Sequence, residues 1–191
     1  MRKLPPEEEV AVSAGSSSHD LGTQALPAHT EEERETLLAF LEEHRRLIRE
    51  TILVLSDEEA RLKLVPSLTT PIGLLNHAAF VESVWFICRF GGKTRAEAEI
   101  PETVDESFIV CPSDSLQSLA QKHLKNIDQA NEIISRLSLE DRCNHPVMGE
   151  LTLRWVLNHC IRELAQHAGH ADILVEQIIA QRSEPAIGKS A

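Results

Sequence analysis

Apolar residues that recur at helical spacing are the feature that most constrains the fold of this chain. One such stripe runs through residues 113–137 and comprises Leu116, Leu119, Ala120, Leu124, Ile127, Ala130, Ile133 and Ile134. The same spacing predicts long helices over about 31–54, over 70–90 and from Thr152 to the residues before Pro185. Each of these four helices must bury an apolar face, and no strand pattern accompanies them. The sequence therefore predicts an all-α fold, a four-helix bundle.

Short motifs mark where the helices begin and end. Thr30–Glu33 and Ser56–Glu59 have the residues of a capping box, and the second of them opens a short helix. Thr70-Pro71 pairs an N-cap with a proline at the first helical position, and Gly91-Gly92 ends the helix that begins there. These motifs indicate the boundaries independently of the apolar spacing.

The segments between the helices contain breaker residues. Residues 91–112, with Pro101 and Pro112, are predicted to be irregular, and residues 138–150 form a connector that contains Pro146 and Gly149. Phe108–Cys111 is the only passable strand candidate, and it is isolated. Residues 1–29 are predicted to be a disordered tail and 183–191 a flexible C-terminus.

Charge and composition exclude several classes of function. The chain has 191 residues, a length that predicts a single domain, placed over 30–182. Its net charge of −11 would repel the phosphates of a nucleic acid. Only 4% of the residues are aromatic, which disfavours base stacking. No apolar run reaches the ~18 residues that span a membrane. With four cysteines, no Cys-x-x-Cys spacing and no apolar signal segment, we expect a cytoplasmic protein with free thiols.

The helix that begins near Thr152 carries polar residues where the bundle core should be apolar. At roughly 100° per residue, Glu163, His167 and His170 fall within about 60° of one another. Their stripe continues into apolar residues at both ends, and charged side chains occupy the opposite face. An isolated buried carboxylate is costly unless it is paired, protonated or bound to a metal.

The helix over 70–90 has the same oddity, because His77 is centred on its apolar stripe while Glu82 lies off it. Each of these histidines alone is more often a hydrogen-bonded core residue. Together, Glu163 and His167 at i and i+4 and His77 from another helix form three candidate ligands inside a bundle. Two imidazoles and one carboxylate suit zinc, nickel, iron or manganese and leave coordination positions open.

The stretch Leu151–Leu174 resembles the signature of the DinB-like superfamily, closest to a branch described as a domain of unknown function and related to mycothiol-dependent maleylpyruvate isomerase. The resemblance covers about residues 30–180. Further matches lie at Glu32–Leu41, Leu74–His77, Glu82, Trp85-Phe86 and Gly91-Gly92. The resemblance implies a DinB-like four-helix bundle with one or two long crossover connections. Because bundles of this family often pair, it also allows a homodimer.

For the site, the resemblance implies a divalent metal, zinc or nickel before others, held by His77, Glu163 and His167. Characterised relatives are thiol-dependent transferases or isomerases. The resemblance therefore implies a low-molecular-weight thiol such as mycothiol as cosubstrate, and a small-molecule electrophile that the thiolate attacks. His170 stands where other branches carry glutamine. Three roles are open for it: a catalytic proton shuttle, a group behind the ligands, or a fourth ligand.

Two other functions fit the same residues. A metal-binding or stress-response protein without turnover, or one with a structural metal, would have a closed site in which His170 or Cys160 is the fourth ligand. A metal-dependent hydrolase would use a bound hydroxide at the open position.

A few further residues are placed by the helical periodicity alone. His159 lies at the edge of the metal stripe and is a candidate neighbour of the ligands, as is Cys160. Trp85 and Trp155 are predicted to be core or interface aromatics, with part of the site wall as the alternative. His44 and His123 are predicted to be partly exposed on the long helices.

Overall fold

The structure, a computed structural model, describes residues 32–182, so the predicted tail over 1–29 and the C-terminus over 183–191 lie outside it. Helices make up most of the described chain: α1 Glu33–Ile52, α2 Asp57–Ala60, α3 Pro71–Glu82, α4 Leu116–Ile134 and α5 Leu153–Arg182. The α3 helix continues as a π-helical segment over Ser83–Phe90, and a 3₁₀ turn occupies Asp105–Phe108. The prediction of an all-α helical bundle is confirmed.

The helices α1 and α5 run parallel to each other. Arg154 near the start of α5 donates to Glu33 at the start of α1, and Arg182 at the end of α5 bonds the segment that follows α1. The α4 helix runs the opposite way, because Arg34 at the start of α1 donates to the carbonyl of Ile134 at the end of α4.

The helices α3 and α4 form the second parallel pair. Lys122 donates to Asn76 near the start of both helices, and Asn126 donates to Ser83 further along both. Consecutive parallel helices need a connection that travels back along the bundle, and residues 91–115 supply it. The structure therefore has the long crossover that the family resemblance implied.

Two predicted helix starts and one predicted end are confirmed. The Ser56 hydroxyl accepts the N–H of Glu59 while the Glu59 carboxylate accepts the N–H of Ser56, which is the predicted capping box. The hydroxyl of Thr70 accepts the N–H of Gly73 at the start of α3. The π-helical end of this helix stops at Gly91, as predicted.

Two other helix starts differ from the prediction. The α1 helix begins at Glu33, and its N-cap Glu32 makes no side-chain capping bond. The predicted cap, Thr30, lies outside the described residues. The α4 helix begins at Leu116 because Ser115 caps it, which is later than residue 113.

The connector before α5 is partly a β-hairpin, which the sequence did not predict. Strand β1, Arg142–His145, pairs antiparallel with β2, Gly149–Thr152, with Cys143 opposite Leu151. These two side chains are buried against the bundle core. The isolated strand candidate Phe108–Cys111 does not form a strand, since Phe108 closes the 3₁₀ turn. Four-residue strands are too short to show a period of two in the sequence, so burial against the helices decides their conformation.

The α3 helix is buried on all sides, which its apolar stripe did not predict. All twelve of its residues are buried, including the polar ones that lie off the stripe. Asn76 donates to the carbonyl of Ser107, and Ser83, the next residue after the helix, donates to the carbonyl of Ala79. Each buried polar group is thus satisfied by a neighbour.

The most deeply buried charges on this helix form an ion pair. Glu82 has no exposed surface, and both of its carboxylate oxygens accept from Arg45 on α1, at 2.7 and 2.6 Å. Arg45 also donates to Asn131 on α4 at 2.8 Å. The pair therefore ties α1, α3 and α4 together at one level of the bundle.

The segment Pro71–Phe90 is also long and apolar enough to cross a membrane. In the structure 89% of its most apolar window is buried by the other helices. A helix at the centre of a soluble bundle has this composition, because its apolar side chains form the bundle core.

His123 on α4 is fully buried, so the prediction that it is partly exposed is wrong. Neither ring nitrogen has a hydrogen-bond partner among residues 32–182. Burial, together with the charges of the neighbouring Arg49 and Arg45, lowers the pKa of His123 from 6.5 to about 3. The imidazole is therefore neutral in the folded protein.

We expect Glu82→Gln to lower the free energy of unfolding by about 3–5 kcal/mol, because it leaves the Arg45 charge buried without its partner. Urea unfolding monitored by circular dichroism measures the loss. The matched control is Glu50→Gln, which removes the exposed partner of Arg46 and should cost less than about 1 kcal/mol. Equal losses of unfolding free energy in the two variants would contradict the conclusion that Glu82 and Arg45 form a stabilising buried ion pair.

We expect the stability of the protein to fall as the pH drops from about 6.5 towards 3, in part because of His123. The unfolded chain protonates this histidine over that range and the folded chain does not, so each pH unit costs up to about 1.4 kcal/mol. Urea unfolding of His123→Leu and of the unsubstituted protein at pH 7.5 and 5 isolates this contribution. The substitution should reduce the stability lost between the two pH values, and an unchanged loss would refute the explanation.

Candidate metal centre

Three side chains predicted from the sequence converge in the structure. One oxygen of Glu163, Oε1, lies 3.3 Å from Nε2 of His77 and 3.2 Å from Nε2 of His167. One ligand atom from each residue lies within 4.8 Å of the others. The structure thus brings together the three residues that sequence spacing selected as candidate ligands.

Local structure explains this convergence. Glu163 and His167 are four residues apart on α5, so their side chains project from the same face about one turn apart. His77 comes from the middle of α3, which packs beside α5. It is buried, whereas Glu163 keeps 26% of its side chain exposed, so the cluster is open on one side.

The 3₁₀ turn in the crossover fixes the orientation of the His77 ring. Its Ser107 hydroxyl lies 2.7 Å from Nδ1 of His77 and donates its own proton to the carbonyl of Val104. The hydroxyl must therefore accept the Nδ1–H of His77, which leaves Nε2 with a free lone pair. Phe108 stacks on the same ring, with centroids 4.2 Å apart and planes 14° from parallel.

Electrostatics keep the carboxylate charged and the buried imidazole neutral. The neighbouring imidazole of His167 holds the pKa of the Glu163 carboxyl well below its usual range. Burial lowers the pKa of His77, and the nearby carboxylate only partly offsets that effect. At neutral pH the cluster therefore combines one negative charge with the neutral ring of His77.

This arrangement fits a divalent cation. The lone pair of His77 Nε2 faces the carboxylate oxygen of Glu163, and no proton lies between them once Nδ1 carries it. Two electron-rich atoms in such contact repel each other unless a cation lies close to both. Imidazole nitrogen and carboxylate oxygen are also a donor set that zinc and nickel accept.

His170 lies beside the cluster and is exposed. Its ring centroid is 5.5 Å from that of His167 at an angle of 64°. It lines a cavity of about 320 Å³ whose other walls are mostly apolar: Val65, Ser67, Thr69, Ile173 and Leu174. The residue thus stands between the three candidate ligands and a small apolar chamber.

The structure separates the other predicted neighbours of the site. His159, one turn before Glu163, packs edge-on against Trp85 at 4.7 Å. Trp85 is buried, which agrees with its prediction as a core aromatic or site wall. Cys160 is fully buried, and burial raises the pKa of its thiol well above the usual range. It is not part of the cluster of candidate ligands.

Comparison with known proteins shows which family the chain resembles. Residues 36–180 match the model of the family described as mycothiol S-transferase. The chain belongs to the mycothiol S-transferase family. No curated protein shows significant similarity to it. A crystal structure of a conserved protein from Enterococcus faecalis shares its fold, with a TM-score of 0.64 and 14% identity over 78% of this chain and 98% of that one.

Sequence reasoning missed the support that Ser107 and Phe108 give to the candidate metal centre. Both lie in the crossover, where residues 91–112 were predicted to be irregular. The only signal there was the short apolar run Phe108–Cys111, and it suggested a strand. A contact between a loop residue and a helix residue thirty positions away produces no periodic pattern in the sequence.

We expect Ser107→Ala to lower the affinity of the protein for Zn²⁺ by about 10–100-fold, because Nδ1 of His77 loses its acceptor and the ring is free to change tautomer. Competition with a colorimetric zinc chelator measures the affinity. The matched control is Ser83→Ala, which removes another buried hydroxyl but lies away from the site. An affinity that falls equally in both variants would show a general effect on folding.

Proposed function

We propose that this protein is a metal-dependent transferase that joins the sulfur of mycothiol to a small electrophile in the cytoplasm. The observation that carries the proposal is the convergence of Glu163 Oε1 with Nε2 of His77 and of His167 at a partly open position. Membership of the mycothiol S-transferase family supports the choice of thiol and of reaction.

In this proposal His77, Glu163 and His167 hold a divalent cation, with zinc or nickel as the expected metals. A cation bound there would supply a Lewis acid that lowers the pKa of the thiol and favours its nucleophilic thiolate. Ser107 keeps the lone pair of His77 turned towards the carboxylate. Burial of His77 on α3 keeps water from competing on that side.

His170 is the proposed proton acceptor. Imidazole exchanges protons near neutral pH, and this one is exposed beside His167 and at the wall of the apolar chamber. The thiol gives its proton to His170, its sulfur forms the new S–C bond, and the leaving group departs with the bonding electron pair. The reaction consumes no oxidant or reductant.

We expect His77→Ala, Glu163→Ala and His167→Ala each to weaken Zn²⁺ binding by more than about 100-fold, because each removes a proposed ligand. Metal analysis of the purified proteins and chelator competition measure this. His44→Ala is the control, since this histidine lies on α1 outside the cluster. Metal retained in full by all three variants would refute the proposed centre.

We expect zinc-loaded or nickel-loaded protein to form a thioether from mycothiol and a chloronitroarene, with the product identified by mass spectrometry. His170→Ala and His170→Gln should both lower kcat about 100-fold while the metal is retained, because neither side chain transfers a proton at neutral pH. Glu176→Ala, an exposed position further along α5, is the control. A His170→Gln variant with undiminished kcat would exclude this residue as the proton acceptor.

A further inference from the structure

Three rings pack together on the side of the candidate metal centre away from His170, and we call Trp85, Trp155 and His159 the aromatic platform. Trp155 and His159 stack with centroids 5.2 Å apart and planes 11° from parallel. Trp85 backs both rings, 4.7 Å from His159 and 5.8 Å from Trp155. A platform of this kind is rigid, because each ring is held by the other two.

The platform is open to solvent at one end. Trp155 is 38% exposed, whereas Trp85 is buried. A shallow cavity of about 390 Å³ lies there, lined by Trp155, Asn158, His159 and Arg162. The outer surface of the Trp155 indole is therefore available for contact with a ligand.

Polar groups surround the exposed rings. Arg162 donates to Nδ1 of His159 at 3.2 Å, so the proton of a neutral His159 ring lies on Nε2. Asn158 donates a side-chain N–H to the carbonyl of Arg154, and its side-chain oxygen accepts no hydrogen bond from residues 32–182. The cavity thus offers an aromatic surface with hydrogen-bond donors and an acceptor at its edges.

The position of the platform along α5 relates it to the candidate centre. His159 is one turn before Glu163, about 6 Å along the helix axis, and Trp155 is about 12 Å before it. The apolar chamber lined by His170 lies at the opposite end of the centre. The three features therefore follow one another along a single helix.

We propose that the aromatic platform, with Asn158 and Arg162, binds the sugar portion of the cosubstrate thiol while the sulfur reaches the metal centre. This inference rests on the proposed function. Mycothiol is a cysteine derivative carried on an amino sugar and a cyclitol, whose rings have apolar C–H faces and hydroxyl groups at their edges. Such rings match an aromatic surface with polar edges, whereas the mostly apolar chamber beyond His170 suits the electrophile.

The test uses the thiol-free pseudodisaccharide of mycothiol, an amino sugar joined to inositol, as a probe of the full-length protein without added metal. The chain has two tryptophans, and both belong to the platform, so intrinsic fluorescence reports binding at this place. We expect saturable quenching. Isothermal titration calorimetry provides an affinity that does not depend on which tryptophan remains.

Substitutions then locate the site. Trp155→Ala should weaken binding of the probe about tenfold, and Trp155→Phe, which keeps an aromatic ring, should stay within about threefold. The matched control is Ile179→Ala, since Ile179 is also on α5, is 39% exposed and lies beyond the centre. Absence of saturable binding, or an equal loss in Trp155→Ala and Ile179→Ala, would overturn the proposal.

Turnover separates this inference from the proposed function. In the metal-loaded protein, Trp155→Ala should lower kcat/KM for mycothiol about tenfold and leave kcat/KM for N-acetylcysteine unchanged, because the second thiol has no sugar. Conjugation that proceeds equally well with both thiols in the unsubstituted protein would overturn the sugar site and leave the transferase intact. Binding of the probe without any conjugation would support the sugar site and refute the proposed transferase.

Discussion

Burial of α3 on every side is the constraint on which the rest of the structure depends. A helix in that position must satisfy each polar side chain from a neighbouring element, because water cannot reach it. Glu82 is satisfied by Arg45 on α1, and Arg45 also reaches Asn131 on α4. His77, about one and a half turns earlier, is satisfied by Ser107 on one side and faces Glu163 on the other. The same requirement thus produces a closed ion pair at one level and an open cluster at the next.

The difference between these two levels explains why only the second is a candidate site for a cation. Arg45 brings a full positive charge and five donors, so the carboxylate of Glu82 needs nothing further. The Glu163 carboxylate faces imidazoles instead, and the proton of His77 is already committed to Ser107. A negative oxygen and a lone pair are left in contact, which is the electrostatic situation that a bound cation relieves.

The α5 helix arranges the parts of the site in order. Its 30 residues span about 45 Å, enough to carry the aromatic platform, two candidate ligands and the residues of the apolar chamber. The crossover and the β-hairpin supply what a helix cannot, which is side chains that approach from the flank. Phe108 stacks on His77 from the crossover, and His145 stacks on Trp85 from the hairpin. Irregular segments therefore complete a site that the helices begin.

Much of the fold and the centre of the site could be predicted from the sequence, because both depend on periodicity. The apolar stripes predicted four helices, and the capping residues at Ser56 and Thr70 predicted where two helices begin. The i, i+4 spacing of Glu163 and His167 put two candidate ligands on one helix face, and the centred position of His77 supplied the third. These relations are local to one helix, so a linear sequence contains them in full.

Only the tertiary structure decided the features that join distant segments. Glu82 and His123 have sequence surroundings typical of exposed or peripheral positions, yet both are buried, because neighbouring helices cover faces that the periodicity left free. The hairpin forms because Cys143 and Leu151 find the core, although four residues give no strand period. Ser107 meets His77 because a crossover returns along the bundle. The sequence by itself determined which residues share a helix face, and packing between segments determined what each face meets.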